Sequence, residues 1–554
     1  MKKLPWLFNL LLISVLTISG MLTSCSGKEE VDTLVFNATI YTVDESFSTA
    51  EAMAIREGKL VAMGNTASLL KKFDAKNKID AGGKFIYPGF IDAHGHFTGY
   101  ALDAWKINLT GTHSFEEVIQ KVVEGSKSVH GEWVYGRGWD QNDWPDKQYP
   151  DKRLLDSLFP DRPVLLKRVD GHAALVNEVA LQRAGIDEHF TIASGEVLLK
   201  NGKPTGMLID KAMEYVDAMI PRPSETESMQ YILDMQRVCL SVGLTGVHDC
   251  GLSMHEFEWL EKLNRDQALK LKLYVLMSDS LPYYDDWLKR GMYKTPALTM
   301  GGFKLYGDGA LGSRGACLKH PYHDRSGWNG FLLSNPEHFE RIAQRLIESP
   351  FQLCTHAIGD SANRHLLKTY AAVLKGKNDR RWRIEHAQVV DEKDMHYFSD
   401  YSIIPSVQPT HATSDMYWAE DRLGAQRMPY AYAYQPLLQT NGWMPLGTDF
   451  PVEDMNPRYT FYAAVFRKDA KGFPEGGFQA EHALSREQAL RGMTIWAAKA
   501  AFQEKERGSL EVGKAADFIL YDSDLMRCQP QEVLKAKVLS TYVDGVQVYS
   551  ATSN

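Results

Sequence analysis

His94 and His96 stand one residue apart, directly after an apolar run that contains Phe85, Ile86, Tyr87, Phe90 and Ile91. Residues at i and i+2 of a strand share a face, so the two imidazoles leave the end of a buried strand side by side. That pair is half of a transition-metal site. Further along, His356 closes Phe351-Gln-Leu-Cys-Thr-His, His386 closes Trp382-Arg-Ile-Glu-His, and Asp449 closes Met444-Pro-Leu-Gly-Thr-Asp. In Gly302-Phe-Lys-Leu-Tyr, alternation puts Lys304 on the face opposite Phe303 and Leu305. Each residue has a plain alternative: a capped turn aspartate, a satisfied core histidine, a lysine that snorkels. Four histidines, a lysine and an aspartate that all end strands point to one shared site.

The elements that must hold this site are eight strands, expected near 86–92, 244–249, 272–278, 302–306, 351–356, 382–386, 402–408 and 443–449. Most gaps carry helical spacing, as in His338-Phe-Glu-Arg-Ile-Ala-Gln-Arg-Leu-Ile-Glu. Strand and helix alternating eight times predict an α/β chain with a (β/α)8 TIM barrel over 85–508, its site at the C-terminal ends of the strands. The gap from about 100 to 240 is too long for one crossover. It holds Trp105, Trp133, Trp139 and Trp144 and reads as an insertion over the site. Short strand patterns at both ends predict one small β-sandwich assembled from 31–84 and 509–554.

The N-terminus has the layout of an export signal. Met1-Lys2-Lys3 is basic, Leu4 to Ile18 is apolar but short for a bilayer span, and Leu22-Thr-Ser-Cys25 follows. Small residues before a cysteine resemble a bacterial lipobox. The expectation is therefore a signal peptide over 1–24, a lipidated Cys25, a tether over 25–30, and a periplasmic or surface-exposed protein anchored to the cell envelope. The other five cysteines are scattered and odd in number, which argues against a disulfide framework. A net charge of −8 without a basic cluster argues against nucleic acid as a partner.

The chain resembles the metal-dependent amidohydrolase superfamily over residues 31 to 550. Pro88-Gly-Phe-Ile-Asp-Ala-His-Gly-His resembles its first-strand motif, and Gly508-Ser-Leu-Glu-Val-Gly-Lys-Ala-Ala-Asp its closing β motif. Gly136-Arg-Gly-Trp-Asp, Asp170-Gly-His, Gly307-Asp-Gly-Ala-Leu-Gly-Ser-Arg, Thr355-His-Ala-Ile-Gly-Asp and Gly447-Thr-Asp-Phe-Pro are similar to a branch that includes N-substituted formamide deformylases and exported relatives.

The resemblance implies two divalent metal ions, one on His94, His96 and Asp449, the other on His356 and His386. Lys304 would bridge them as an N6-carboxylated lysine, which needs an amine with a depressed pKa. An unmodified Lys304 would go with a single ion. Zinc is the default, although imidazole-rich sets also suit iron, nickel or manganese. The implied reaction is metal-activated hydroxide attack on a non-peptide carbon–nitrogen bond. Asp449 takes the proton and returns it to the leaving nitrogen. An N-acyl or N-formyl amide is the leading small-molecule substrate. A cyclic amide, a dipeptide or an ester on the same site, or a non-catalytic surface binding protein, are the alternatives. Trp139, Asp140, His172 and Arg314 are candidate substrate contacts, with His411 beside them. Arg314 above the site would favour a carboxylate-bearing substrate. Asp308 is expected to hold Lys304 or Arg314.

Overall fold

The computed structural model describes residues 28–127 and 132–551. The expected leader, Cys25 and the start of the tether lie outside the described residues. Among those described, no helix is long and apolar enough to cross a membrane, and all five cysteines are free.

Seven parallel strands lie side by side in chain order: Phe90–Gly95, Leu244–Leu252, Lys272–Ser278, Leu298–Tyr306, Gln352–Ala357, Arg383–His386 and Ile404–Ser406. The segment 444–449 closes the ring between the last strand and the first. Gly447 N donates to Val407 O at 3.0 Å, Ala93 N to Leu446 O at 3.1 Å, and Asp449 N to His94 O at 2.7 Å. This segment does not form a regular strand. Pro445 brings no N–H, and Asp449 has φ 61. The fold is a parallel α/β barrel, with its helices packed outside through residues such as Phe339, Ile342 and Leu346.

The first barrel strand starts at Phe90, not near 86. Pro88 and Gly89 break the chain there, and Phe85–Pro88 instead pairs with Phe518–Tyr521 and Thr39–Tyr41 in a terminal sheet. A Cβ on Gly89 would lie 2.2 Å from Thr245 Oγ1, so the break needs a glycine. That six-stranded sheet also holds Val538–Val543, and Val35, Ile55, Ile86 and Phe518 share a core between it and a four-stranded N-terminal sheet.

Six strands between positions 107 and 210 form a separate sheet, with Ile107–Asn108 and Gly195–Lys200 at its edges. Val164, Leu166, Ala173, Leu175 and Met207 face one core; Leu165, Ala174, Val176 and Leu208 face another. Period-two burial on both faces explains why this stretch is apolar without amphipathic alternation. The helix Glu225–Ser241, which falls inside the expected insertion, packs on the barrel through Ile232, Cys239 and Leu240.

A buried ion cluster ties the terminal sheet to the barrel floor. Lys272 Nζ lies 2.9 Å from Asp517 Oδ1, and Arg507 Nε lies 3.5 Å from Asp517 Oδ2. Burial opposes ionisation of Asp517, but Lys272 and Arg507 more than offset it and hold the carboxyl below its ordinary 3.8. A carboxyl lowered on folding stabilises fully above its unfolded pKa and ceases to as pH falls through the folded value. Asp517→Ala is expected to destabilise the protein at neutral pH by up to about 3–5 kcal/mol, because Lys272 and Arg507 lose their buried carboxylate and Lys272 keeps only the half-exposed Asp544. In urea unfolding, the gap from the wild type should narrow as pH drops below 3.8. A gap that does not change with pH would contradict this assignment.

Candidate active site

His94 and His96 leave the first strand, Lys304 lies on the fourth, His356 on the fifth, His386 ends the sixth, and Asp449 ends the closing segment. All open onto a cavity of about 460 Å³ at the barrel mouth or lie directly beneath it. His94 and His386 ring centroids are 4.8 Å apart, and those of His356 and His386 are 4.5 Å apart. Asp449 Oδ1 lies 3.0 Å from His96 Nε2 and 3.4 Å from His94 Nε2. Lys304 Nζ is 3.1 Å from His94 Nε2.

Three of these rings share one arrangement. Nδ1 of His94 contacts Glu385 Oε2 at 2.6 Å, Nδ1 of His96 contacts Cys250 O at 2.9 Å, and Nδ1 of His386 contacts Gln408 Oε1 at 2.7 Å. An oxygen acceptor on Nδ1 fixes the tautomer and leaves Nε2 with its lone pair outward. Burial, reinforced by neighbouring cationic groups, pushes His356 and His386 well below the usual imidazole value. Burial works against ionising Asp449, yet the flanking His94 and His96 imidazoles bring its carboxyl well below the usual range.

Ligand atoms of His94, His386 and Asp449 lie within 4.8 Å of one another. Asp449 Oδ1, His356 Nε2 and His411 Nε2 are buried without hydrogen-bond partners. Neutral imidazoles at His356 and His386, an ionised carboxylate and orphaned lone pairs in one place make a donor set that fits a transition-metal ion.

The backbone bears strain where it aims these groups. His386 has φ 73 and Asp449 φ 61, conformations that cost on the order of 1–3 kcal/mol in a non-glycine residue. The turn at His386 lets both Glu385 and His386 face the barrel interior, where strict alternation would turn one away. Sequence reasoning therefore missed Glu385, although it directly precedes a candidate ligand. Gln408 carried no distinguishing signal.

Other expectations divide. Asp140 and His172 line the cavity. Trp139 does not: it donates Nε1–H to Leu166 O at 2.7 Å and stacks on Trp144 in the insertion core. A bulge between Arg137 and Trp139, with Gly138 at φ 115, reverses the strand's faces there. Arg314 is also outside the cavity. With φ 64 it turns aside to Asp324, at 2.8 Å. Asp308 holds neither Lys304 nor Arg314; it accepts the N–H groups of Ile358, Gly359 and Cys317. His411 Nε2 lies 3.7 Å from Asp449 Oδ2. Burial disfavours the Lys304 ammonium, but Cys250, Tyr306, Glu385 and Asp449 more than offset it. The chain's own residues thus hold that amine above its ordinary value, not below.

A barrel with this site at its mouth defines a metal-dependent hydrolase. The amidohydrolase family matches residues 78–549. Protein LONG AFTER FAR-RED 3 of Arabidopsis thaliana is 33% identical over 94% of this chain and 91% of its own length. The N-substituted formamide deformylase of Arthrobacter pascens is 25% identical over 94% of this chain and 99% of its own. An uncharacterized metal-dependent hydrolase from Pyrococcus horikoshii superposes with a TM-score of 0.73 at 26% identity, covering 90% of this chain and 99% of that one. The chain belongs to the amidohydrolase family and is an enzyme that hydrolyses carbon–nitrogen bonds.

Glu385 orients His94 without facing the cavity, so Glu385→Gln should weaken metal binding roughly 10- to 100-fold. Competition with a chromophoric chelator measures this, and wild-type affinity in the variant would contradict the role.

Proposed function

We propose that the protein hydrolyses an N-acyl or N-formyl amide, with Asp449 as proton shuttle. The observation that carries the reading is Asp449 Oδ1, buried, unpaired and flanked by His94 and His96 Nε2. His94, His96 and Asp449 would hold one divalent ion, and His356 with His386 a second, most simply zinc. When bound, such ions act as Lewis acids and lower the pKa of water to about 7. Asp449, ionised and at the cavity floor, takes the proton of the attacking water and passes it to the leaving nitrogen. Lys304 is the candidate for N6-carboxylation. A divalent ion beside it opposes the ammonium that the bare chain favours.

The cavity wall supports a neutral substrate more than a carboxylate-bearing one. Arg314 lies elsewhere, Arg137 pairs with Asp103 at 3.1 Å, and Arg168 pairs with Asp140 at 2.6 Å and with Asp170. The relative named for N-substituted formamides supports the N-formyl class. The leader and Cys25 support export and a lipid anchor in the cell envelope.

The test is release of carboxylate from a panel of N-formyl and N-acyl amides by zinc-loaded protein. Asp449→Asn should lower kcat by at least roughly 10²-fold, the lower range for a positioned proton-transfer group. Turnover in the variant equal to that of the wild type would sink the mechanism. Zinc binding without turnover of any amide would favour a binding protein. Expression with bicarbonate should raise zinc content if Lys304 is carboxylated, and leave it unchanged if it is not.

A further inference from the structure

One histidine at the cavity repeats the arrangement of the barrel histidines without belonging to the barrel. His172 comes from the insertion, immediately before the strand Ala173–Val176. Its Nδ1 lies 2.6 Å from Asp210 Oδ1, and Asp210 N donates to His172 O at 3.0 Å, so backbone and side chain lock the two residues together. The His172 ring lies over that of His356, with centroids 5.3 Å apart, and its Nε2 has no hydrogen-bond partner among the described residues. The ring lines the same cavity as Lys304 and Asp449.

Asp210 is held with unusual care. It has φ 48 and ψ −124, strained for a residue with a Cβ. Its Oδ2 is buried without a partner and packs against the loop that follows the fourth barrel strand. A Cβ on either Gly309 or Gly315 of that loop would lie 2.7 Å from Asp210 Oδ2. Two glycines of the barrel thus leave space for a carboxylate of the insertion, and that carboxylate aims a histidine into the cavity.

We propose that His172 is a catalytic residue whose Nε2 hydrogen-bonds the scissile amide group, with Asp210 as its positioning residue. The insertion then supplies part of the reaction machinery and is not only a cover. This rests on the proposed amide hydrolysis. It adds a contact from the insertion wall to those of the barrel.

The test uses zinc-loaded full-length protein and formate release from N-phenylformamide, with His172→Phe, Asp210→Asn, the double variant and Gly315→Ala. Phenylalanine keeps the ring over His356 and removes the hydrogen bond. His172→Phe should lower kcat roughly 10²- to 10³-fold, the usual effect of losing a directed hydrogen bond to a reacting group. KM and zinc content should change little, whereas the melting temperature should fall, because the buried Asp210 carboxyl loses its His172 partner. Asp210→Asn and Gly315→Ala should give smaller losses in kcat. The double variant should be no slower than His172→Phe, since both changes remove one contact. A His172→Phe enzyme as fast as the wild type overturns the proposal. So does loss of zinc in proportion to loss of rate, which would make His172 a ligand, or losses that simply multiply in the double variant. Failure of the underlying reading looks different: the wild type itself then hydrolyses none of the N-formyl and N-acyl amides.

Discussion

The barrel mouth concentrates groups that water would otherwise solvate. Asp449 keeps its negative charge although buried, with His94 and Lys304 held above their ordinary values beside it, while His356 and His386 are too desolvated to be charged. Charge and lone pairs left in this state are costly unless a cation meets them. The surrounding structure follows from that constraint. Oxygen acceptors on Nδ1 of His94, His96 and His386 hold each ring with Nε2 facing inward. Left-handed backbone at His386 and Asp449 turns both side chains into the same small volume.

The scaffold that holds the site is built from independent cores. The barrel packs through its outer helices, the insertion has apolar layers on both faces of its sheet, and the terminal sheets have a third core. Joints between these units are polar and buried. Asp517 meets Lys272 and Arg507 at the barrel floor, and Asp210 meets the glycine loop at its mouth. A small shift at the first would leave charges unpaired, and at the second would press Asp210 against Gly309 and Gly315. The cavity consequently has walls from two units whose positions are fixed with respect to each other.

Much of this was legible in the sequence, for reasons that can be stated residue by residue. Strands such as Lys272–Ser278 and Gln352–Ala357 are short apolar runs, and His356 marks a strand end because polar residues seldom close a buried run without a reason. Lys304 could be placed relative to Phe303 and Leu305 by alternation alone. Alternation was also where the reading failed. The bulge at Gly138 buries Trp139 in the insertion core, and φ 73 at His386 brings Glu385 to His94. Arg314 turns to Asp324 through a local backbone conformation that composition does not reveal. The split between Phe85–Pro88 and Phe90–Gly95 had a visible signal in Pro88-Gly89, but one apolar run hides two sheets. Asp210 and Gly315 are 105 positions apart in number yet share one contact, a relation that no local pattern encodes.

The most direct measurement is an anomalous difference map at the zinc edge, from crystals grown at neutral pH with zinc. Density is expected in the barrel mouth about 2.0–2.2 Å from His94 and His96 Nε2 and from an Asp449 oxygen, the usual zinc–ligand distances. A mouth with well-ordered side chains and no anomalous peak would contradict it.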